Sequence, residues 1–107
     1  MEEIKLIIDE EASLYLDELI EVLYKNDYFG YIESAERYVS KIYSFIFDNL
    51  ETFPPKTTPA ELQKFGSTYI FYKINPRTTW YIFFEKQNNS YLVSKIINNH
   101  CKEAKWL

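Results

Sequence analysis

The chain has 107 residues, 47% of them apolar and 19% aromatic, with two glycines and four prolines. That composition fits one globular domain over residues 1–107 and excludes a disordered, repetitive or low-complexity chain. The net charge of −4 is split: residues 1–53 carry thirteen acidic and four basic side chains, residues 54–107 three acidic and eight basic ones.

Such a split can mark a surface for an anionic partner, or it can be acidic helices facing a lysine-bearing sheet within one fold. Twelve scattered Lys and Arg side chains in an acidic protein make a weak footprint for nucleic acid. Cys101 has no second cysteine to pair with, which fits a reducing cytoplasm. The start, Met1-Glu-Glu-Ile-Lys5, is acidic and is not a signal peptide; no run approaches the ~20 apolar residues of a membrane span.

Ile4-Lys-Leu-Ile-Ile-Asp9 reads as a first strand. Asp9 suits an N-cap, and Glu10 and Glu11 suit the positive end of the helix that follows over residues 10–25. Ala12, Leu16, Leu19, Ile20 and Leu23 form its apolar face at helical spacing. Residues 26–30 break the pattern, with Gly30 free to take positive φ. A second helix is expected over residues 31–50, striped by Ile32, Ala35, Val39, Ile42, Ile46 and Leu50 and widened by Tyr38, Tyr43 and Phe45. Pro54-Pro55 ends it. Residues 53–65 read as a loop with one helical turn, in which Thr58-Pro59-Ala60-Glu61 carries a capping-box pattern.

Residues 66–100 hold three runs of aromatic and β-branched residues, separated by Asn75-Pro76 and by Gln87-Asn88-Asn89. Three antiparallel strands in a meander follow from that pattern. Alternation puts Thr68, Ile70, Tyr72 and Ile74 opposite Tyr69, Phe71 and Lys73 in the first strand. In the second it puts Trp80, Ile82 and Phe84 opposite Tyr81, Phe83 and Glu85. In the third it puts Leu92, Ser94, Ile96 and Asn98 opposite Tyr91, Val93, Lys95 and Ile97. The second strand is apolar on both sides and so should be central. The expected fold is α+β: an N-terminal strand and an α-helical hairpin packed on an antiparallel β-meander, in the order β-α-α-β-β-β. The helices cover one face. The other is either a concave binding face or part of a two-sided sheet with charges at its ends.

This order of elements resembles the RelE/ParE toxin superfamily of bacterial type II toxin–antitoxin systems. The resemblance is carried by residues 12–23 and 38–53 with Pro54, by Gly66, by Tyr69-Ile-Phe-Tyr72 and Trp80-Tyr-Ile-Phe-Phe-Glu85, and by Ile96-Ile-Asn-Asn-His100. It implies a toxin that blocks growth by cutting mRNA on the ribosome or by poisoning DNA gyrase. It also implies an antitoxin protein that wraps across the hairpin and sheet. A second copy of the chain is a further candidate partner. The positions matching the nuclease pattern are Lys73, Arg77, Lys95 and His100.

Ribonuclease chemistry without metal needs a base, a phosphate-binding cation and an acid. Glu85, Arg77 (or Lys73) and His100 are the candidates for those roles. Tyr69, Tyr91, Lys73, Lys95 and Lys102 are the candidate substrate- or partner-binding residues, the tyrosines through stacking. Ile70 and Phe71 stand where nuclease members carry basic residues, so ParE-like growth inhibition fits better than RelE-like cleavage. A non-catalytic interaction domain that keeps the toxin fold is the alternative. No metal is expected, since His100 and Cys101 are adjacent in a strand and point apart. No cofactor is expected either.

Overall fold

A computed structural model describes residues 5–25 and 31–107. The expected turn around Gly30 lies outside the described residues. The chain runs as β1 (Lys5–Ile8), α1 (Glu10–Lys25), α2 (Ile32–Asn49), β2 (Lys56–Thr57), a first 3-10 segment (Ala60–Phe65), β3 (Thr68–Asn75), β4 (Thr78–Gln87), β5 (Ser90–Asn98) and a second 3-10 segment (Lys102–Trp106). The fold is α+β as the pattern predicted. All five strands lie in one mixed sheet of order β1-β5-β4-β3-β2. β4 is central. β1 runs parallel to β5, and the remaining pairings are antiparallel.

The helices form where the apolar spacing placed them. Ala12 and Leu16 of α1 are buried, with Leu19, Ile20 and Leu23 packed against the core. Ala35, Val39, Ile42 and Ile46 form the buried line of α2. Ile32, assigned to that stripe by spacing, is instead exposed at the first residue of the helix. The two helices are tied by the Tyr43 hydroxyl, 3.4 Å from the Ser13 carbonyl and 3.3 Å from Asp17 Oδ1. Both pack on Ile70, Trp80, Ile82, Phe84, Tyr91, Val93 and Ile96 of the sheet. Trp80 is buried among them, and its indole N–H donates to the Tyr38 hydroxyl at 3.1 Å. A buried indole needs such a partner.

Two expectations for the loop before β3 change. Lys56–Thr57, read as loop, is a short strand on β3. The capping box does not form: Pro59 holds the N-cap position, and the Thr58 hydroxyl is buried without a hydrogen-bond partner. The backbone explains this. The Thr58 N–H donates to the Ser67 carbonyl at 3.0 Å, which prolongs the β2–β3 ladder and turns the residue away from the helical segment.

The faces of β5 also differ from strict alternation. Phe83 pairs with Lys95 but Phe84 pairs with Val93, so Ser94 is an extra residue on β5, a β-bulge. The bulge resets the alternation. Tyr91 and Val93 therefore lie on the helix side with Ile96, while Ile97 lies on the opposite face. The Ser94 hydroxyl donates to the Phe65 carbonyl, fastening the first 3-10 segment to the bulge.

The opposite face, called the outer face below, carries a second core. Tyr69, Phe83 and Ile97 are buried there under Leu62 of the first 3-10 segment, with Phe65, Phe71, Tyr81, Cys101, Ala104 and Leu107 packed around them. Of the two readings left open for this face, the two-sided sheet is the one observed. Its aromatic centre is covered, and its charges lie at the rim.

Gly66 sits where the first 3-10 segment enters β3. Its φ is +151°, and a Cβ there would lie 2.9 Å from the Phe84 nitrogen and 3.0 Å from Ser94 Oγ. Gly66→Ala should therefore destabilise the fold by about 2–3 kcal/mol, through backbone strain and a clash against the bulge. Urea unfolding followed by tryptophan fluorescence measures it, and an unchanged midpoint would contradict the account.

Candidate functional site

The candidate residues do not converge on one site. Arg77 and His100 do meet, at the corner where the β3–β4 turn lies beside the end of β5. Asparagines build this corner. Asn75 Oδ1 accepts the Arg77 N–H at 2.9 Å, the side-chain turn that asparagine favours. The Asn99 amide donates to the Arg77 carbonyl at 3.1 Å, and its oxygen accepts the Thr79 N–H at 3.0 Å. Asn98 Oδ1 accepts the His100 N–H at 2.9 Å. His100 Nε2 lies 3.4 Å from the Thr78 hydroxyl. The side chains of Arg77 and His100 are both exposed. Lys73 reaches the same end of the sheet through its pairing with Thr79, and exposed Lys102 follows His100 by two residues.

Glu85 stands elsewhere. It lies seven residues along β4 from Thr78, which at the rise of an extended strand is ~23 Å. That exceeds the ~8 Å over which salt leaves surface charges coupled. Glu85 is also engaged: the Ser67 hydroxyl donates to it at 2.7 Å, and the Ser67 N–H donates to its other oxygen. The base proposed for cleavage thus has no path to the Arg77–His100 corner.

Lys95 is exposed on the outer face beside Phe83, with Nζ 5.3 Å from the centre of the Phe65 ring. Tyr69 and Tyr91 are 8% and 5% exposed and belong to the outer and helix-side cores respectively. Neither is open for a base to stack on. Lys86 covers the Tyr91 ring at 5.4 Å.

Three further cations join this surface: Lys56, Lys64 and Lys105. They lie 5.5, 5.5 and 5.1 Å from the rings of Phe71, Phe65 and Trp106. Sequence reasoning groups them only as part of a basic half, because the segments bearing them carry no periodic signal. Among the described residues, none of these lysines, nor Lys73, Arg77, Lys95 or Lys102, forms a salt bridge. Their charge is held against ring faces or in water, not neutralised by carboxylates. The corner can attract and orient an anionic group. It offers His100 as one proton-transfer group, and among the described residues no carboxylate forms an ion pair with it. Among the described residues, no group of three or more His, Cys, Asp or Glu side chains gathers to hold a metal ion, and no helix is long and apolar enough to cross a membrane.

Burial shifts the titration of three tyrosines, Tyr15, Tyr43 and Tyr69. Burial raises the Tyr15 phenol to about 12, helped by Cys101 and Tyr38 nearby, and its ring meets Trp80 edge-on at 6.4 Å. Burial also raises Tyr43, and raises Tyr69 with Tyr81 beside it.

A raised phenol keeps its proton in the folded state after the unfolded chain has released it. The stability it contributes is present below pH 10.0 and is lost as pH rises toward about 12. Tyr15 is 36% exposed, so solvent screening makes the effect modest. Urea midpoints measured through this window should fall for the parent chain and fall less for Tyr15→Phe. Equal slopes would contradict the assignment.

Compared with protein-family models, with curated proteins and with solved structures, the chain gives no match.

Proposed function

We propose that the chain is the toxin-like component of a bacterial type II toxin–antitoxin pair, acting in the cytoplasm by binding a macromolecular target rather than by cutting RNA. The observation that carries this reading is the arrangement of elements: one strand, a helical hairpin on one face, then the meander, in one sheet. That is the arrangement the RelE/ParE resemblance implies. The distance between Glu85 and the Arg77–His100 corner favours ParE-like inhibition, with gyrase as the target, over cleavage of ribosome-bound mRNA. The unneutralised cations of the outer face supply electrostatic steering toward an anionic surface of the target. The antitoxin covers the hairpin and sheet.

A second reading is a non-catalytic interaction domain that keeps the toxin fold without its activity. The covered aromatic centre of the outer face favours it, because no buried tyrosine is available to a substrate there.

Controlled expression in a bacterium, with and without the neighbouring gene, separates the two. Growth should stop with this chain alone and resume with its neighbour, and purified chain should inhibit supercoiling by gyrase. Lys73→Glu with Arg77→Glu should weaken that inhibition ~tenfold, equivalent to about 1.4 kcal/mol. Unimpaired growth in both strains would overturn the toxin reading. Cleavage of ribosome-bound mRNA that disappears in His100→Ala would overturn the non-nuclease reading.

A further inference from the structure

The two edges of the sheet are unlike. β2 is two residues long and follows Pro54-Pro55, and both shortness and proline blunt an edge against further pairing. β1 has neither proline nor bulge. The Lys5 N–H donates to the Asn89 carbonyl at 2.8 Å, and the Asp9 N–H donates to the Val93 carbonyl at 2.8 Å. Backbone groups alternate along a strand, so Lys5, Ile7 and Asp9 face β5, and the N–H and C=O groups of Leu6 and Ile8 point out of the sheet. Among the described residues, no strand lies on that side.

The same edge also exposes apolar side chains. Ile7 is 46% exposed, and Leu92, its register partner on β5, is 40% exposed. Neither belongs to the core under the two 3-10 segments. Ile7 and Leu92 thus form an exposed apolar pair at the β1 edge of the outer face, bounded on β4 by Glu85, the register partner of Leu92.

We infer that β1 is the contact through which two copies of this chain pair, antiparallel about a two-fold axis, into one continuous sheet. The backbone restricts the register. Outward-facing Leu6 and Ile8 must meet outward-facing residues of the copy, so opposed residues share odd or even number. Centring on Ile7 places Leu6 against Ile8 of the copy twice, with about four backbone hydrogen bonds. It puts Ile7 against Ile7 of the copy in a non-hydrogen-bonded pair, where Cβ atoms approach to ~4.5–5.5 Å. It also sets Lys5 opposite Asp9 of the copy, twice over. Centring on Leu6 would oppose Lys5 to Ile7, and centring on Ile8 would oppose Asp9 to Ile7, each leaving a charge against an apolar side chain. The Ile7-centred register alone matches charge to charge and joins the two apolar pairs as Leu92, Ile7, Ile7, Leu92. Both copies use the same patch, as an isologous dimer requires. A short strand buries less than the ~1,600 Å² of a standard interface, so the dimer depends on concentration.

Sedimentation velocity over a concentration series tests this, with circular dichroism and melting of each variant because Asp9 precedes α1. The parent chain should shift from monomer toward dimer as concentration rises. Ile7→Lys, at an exposed position, puts two like charges on the two-fold and should weaken pairing ~tenfold or more. Lys5→Glu and Asp9→Lys should each weaken it, because each variant alone sets like charges against one another. Mixed in equal amounts the two variants should pair as heterodimers, since both opposed pairs across the interface then join opposite charges. A parent chain that stays monomeric, an Ile7→Lys chain that pairs as well as the parent, or a mixture no more dimeric than its components would each overturn the inference.

Discussion

The central strand β4 is apolar on both faces, and the architecture follows from that. Trp80, Ile82 and Phe84 point to the helices, and Phe83 points to the outer face, where it is wholly buried. Burying a large apolar side chain is worth roughly 1.5–3 kcal/mol, so neither face can be left in water. A helical hairpin covers one. The other is closed by the two 3-10 segments, one ahead of β3 and one after β5, bringing Leu62, Phe65, Ala104 and Leu107 over the sheet. Lysines carried by these segments and by the neighbouring strands are thereby displaced to the rim, where several lie on aromatic rings.

The bulge at Ser94 reconciles the two covers. Without it, strict alternation would send Tyr91 and Val93 to the outer face while Ile96 stayed with the helices. With it, Ile96 and Ile97 are buried on opposite faces and Val93 joins the helix-side core. The unmatched residue is a serine, and its hydroxyl bonds the end of the first 3-10 segment. Gly66 lies against the same spot, where a side chain would strike the backbone of β4. The bulge, the segment end and the glycine form one joint that aligns the outer cover with the sheet.

Charge follows the layers. The acidic half of the sequence makes the helices and the edge strand β1, and the basic half makes the other four strands and the outer cover. On the outer face the cations lack carboxylate partners among the described residues, so their field reaches into solvent. The corner of Arg77 and His100 is positioned by Asn75, Asn98 and Asn99, whose side chains bond the backbone as strand neighbours would. Such corners are rigid places to present charge, and they lie where successive strands end.

The sequence by itself determined the two helices, the first strand, the three strands of the meander, their order, and the part of the helix-side core carried by α1, α2, β3 and β4. Helical spacing in residues 12–23 and 35–46, the prolines at 54 and 55, and the turn residues at 75–76 and 87–89 all act locally, so they are legible without the fold. Much of the candidate site was not legible in this way. Strand rise alone puts Arg77 and Glu85, eight residues apart, at ~26 Å, but that Ser67 and not His100 reaches Glu85 was shown only by the tertiary structure. The bulge at Ser94, the burial of Tyr69 and Tyr91, the cover formed by the 3-10 segments and the place of β1 at the edge of the sheet were likewise decided by the fold. Each depends on which distant strand lies alongside, and no spacing within a single run of residues encodes that.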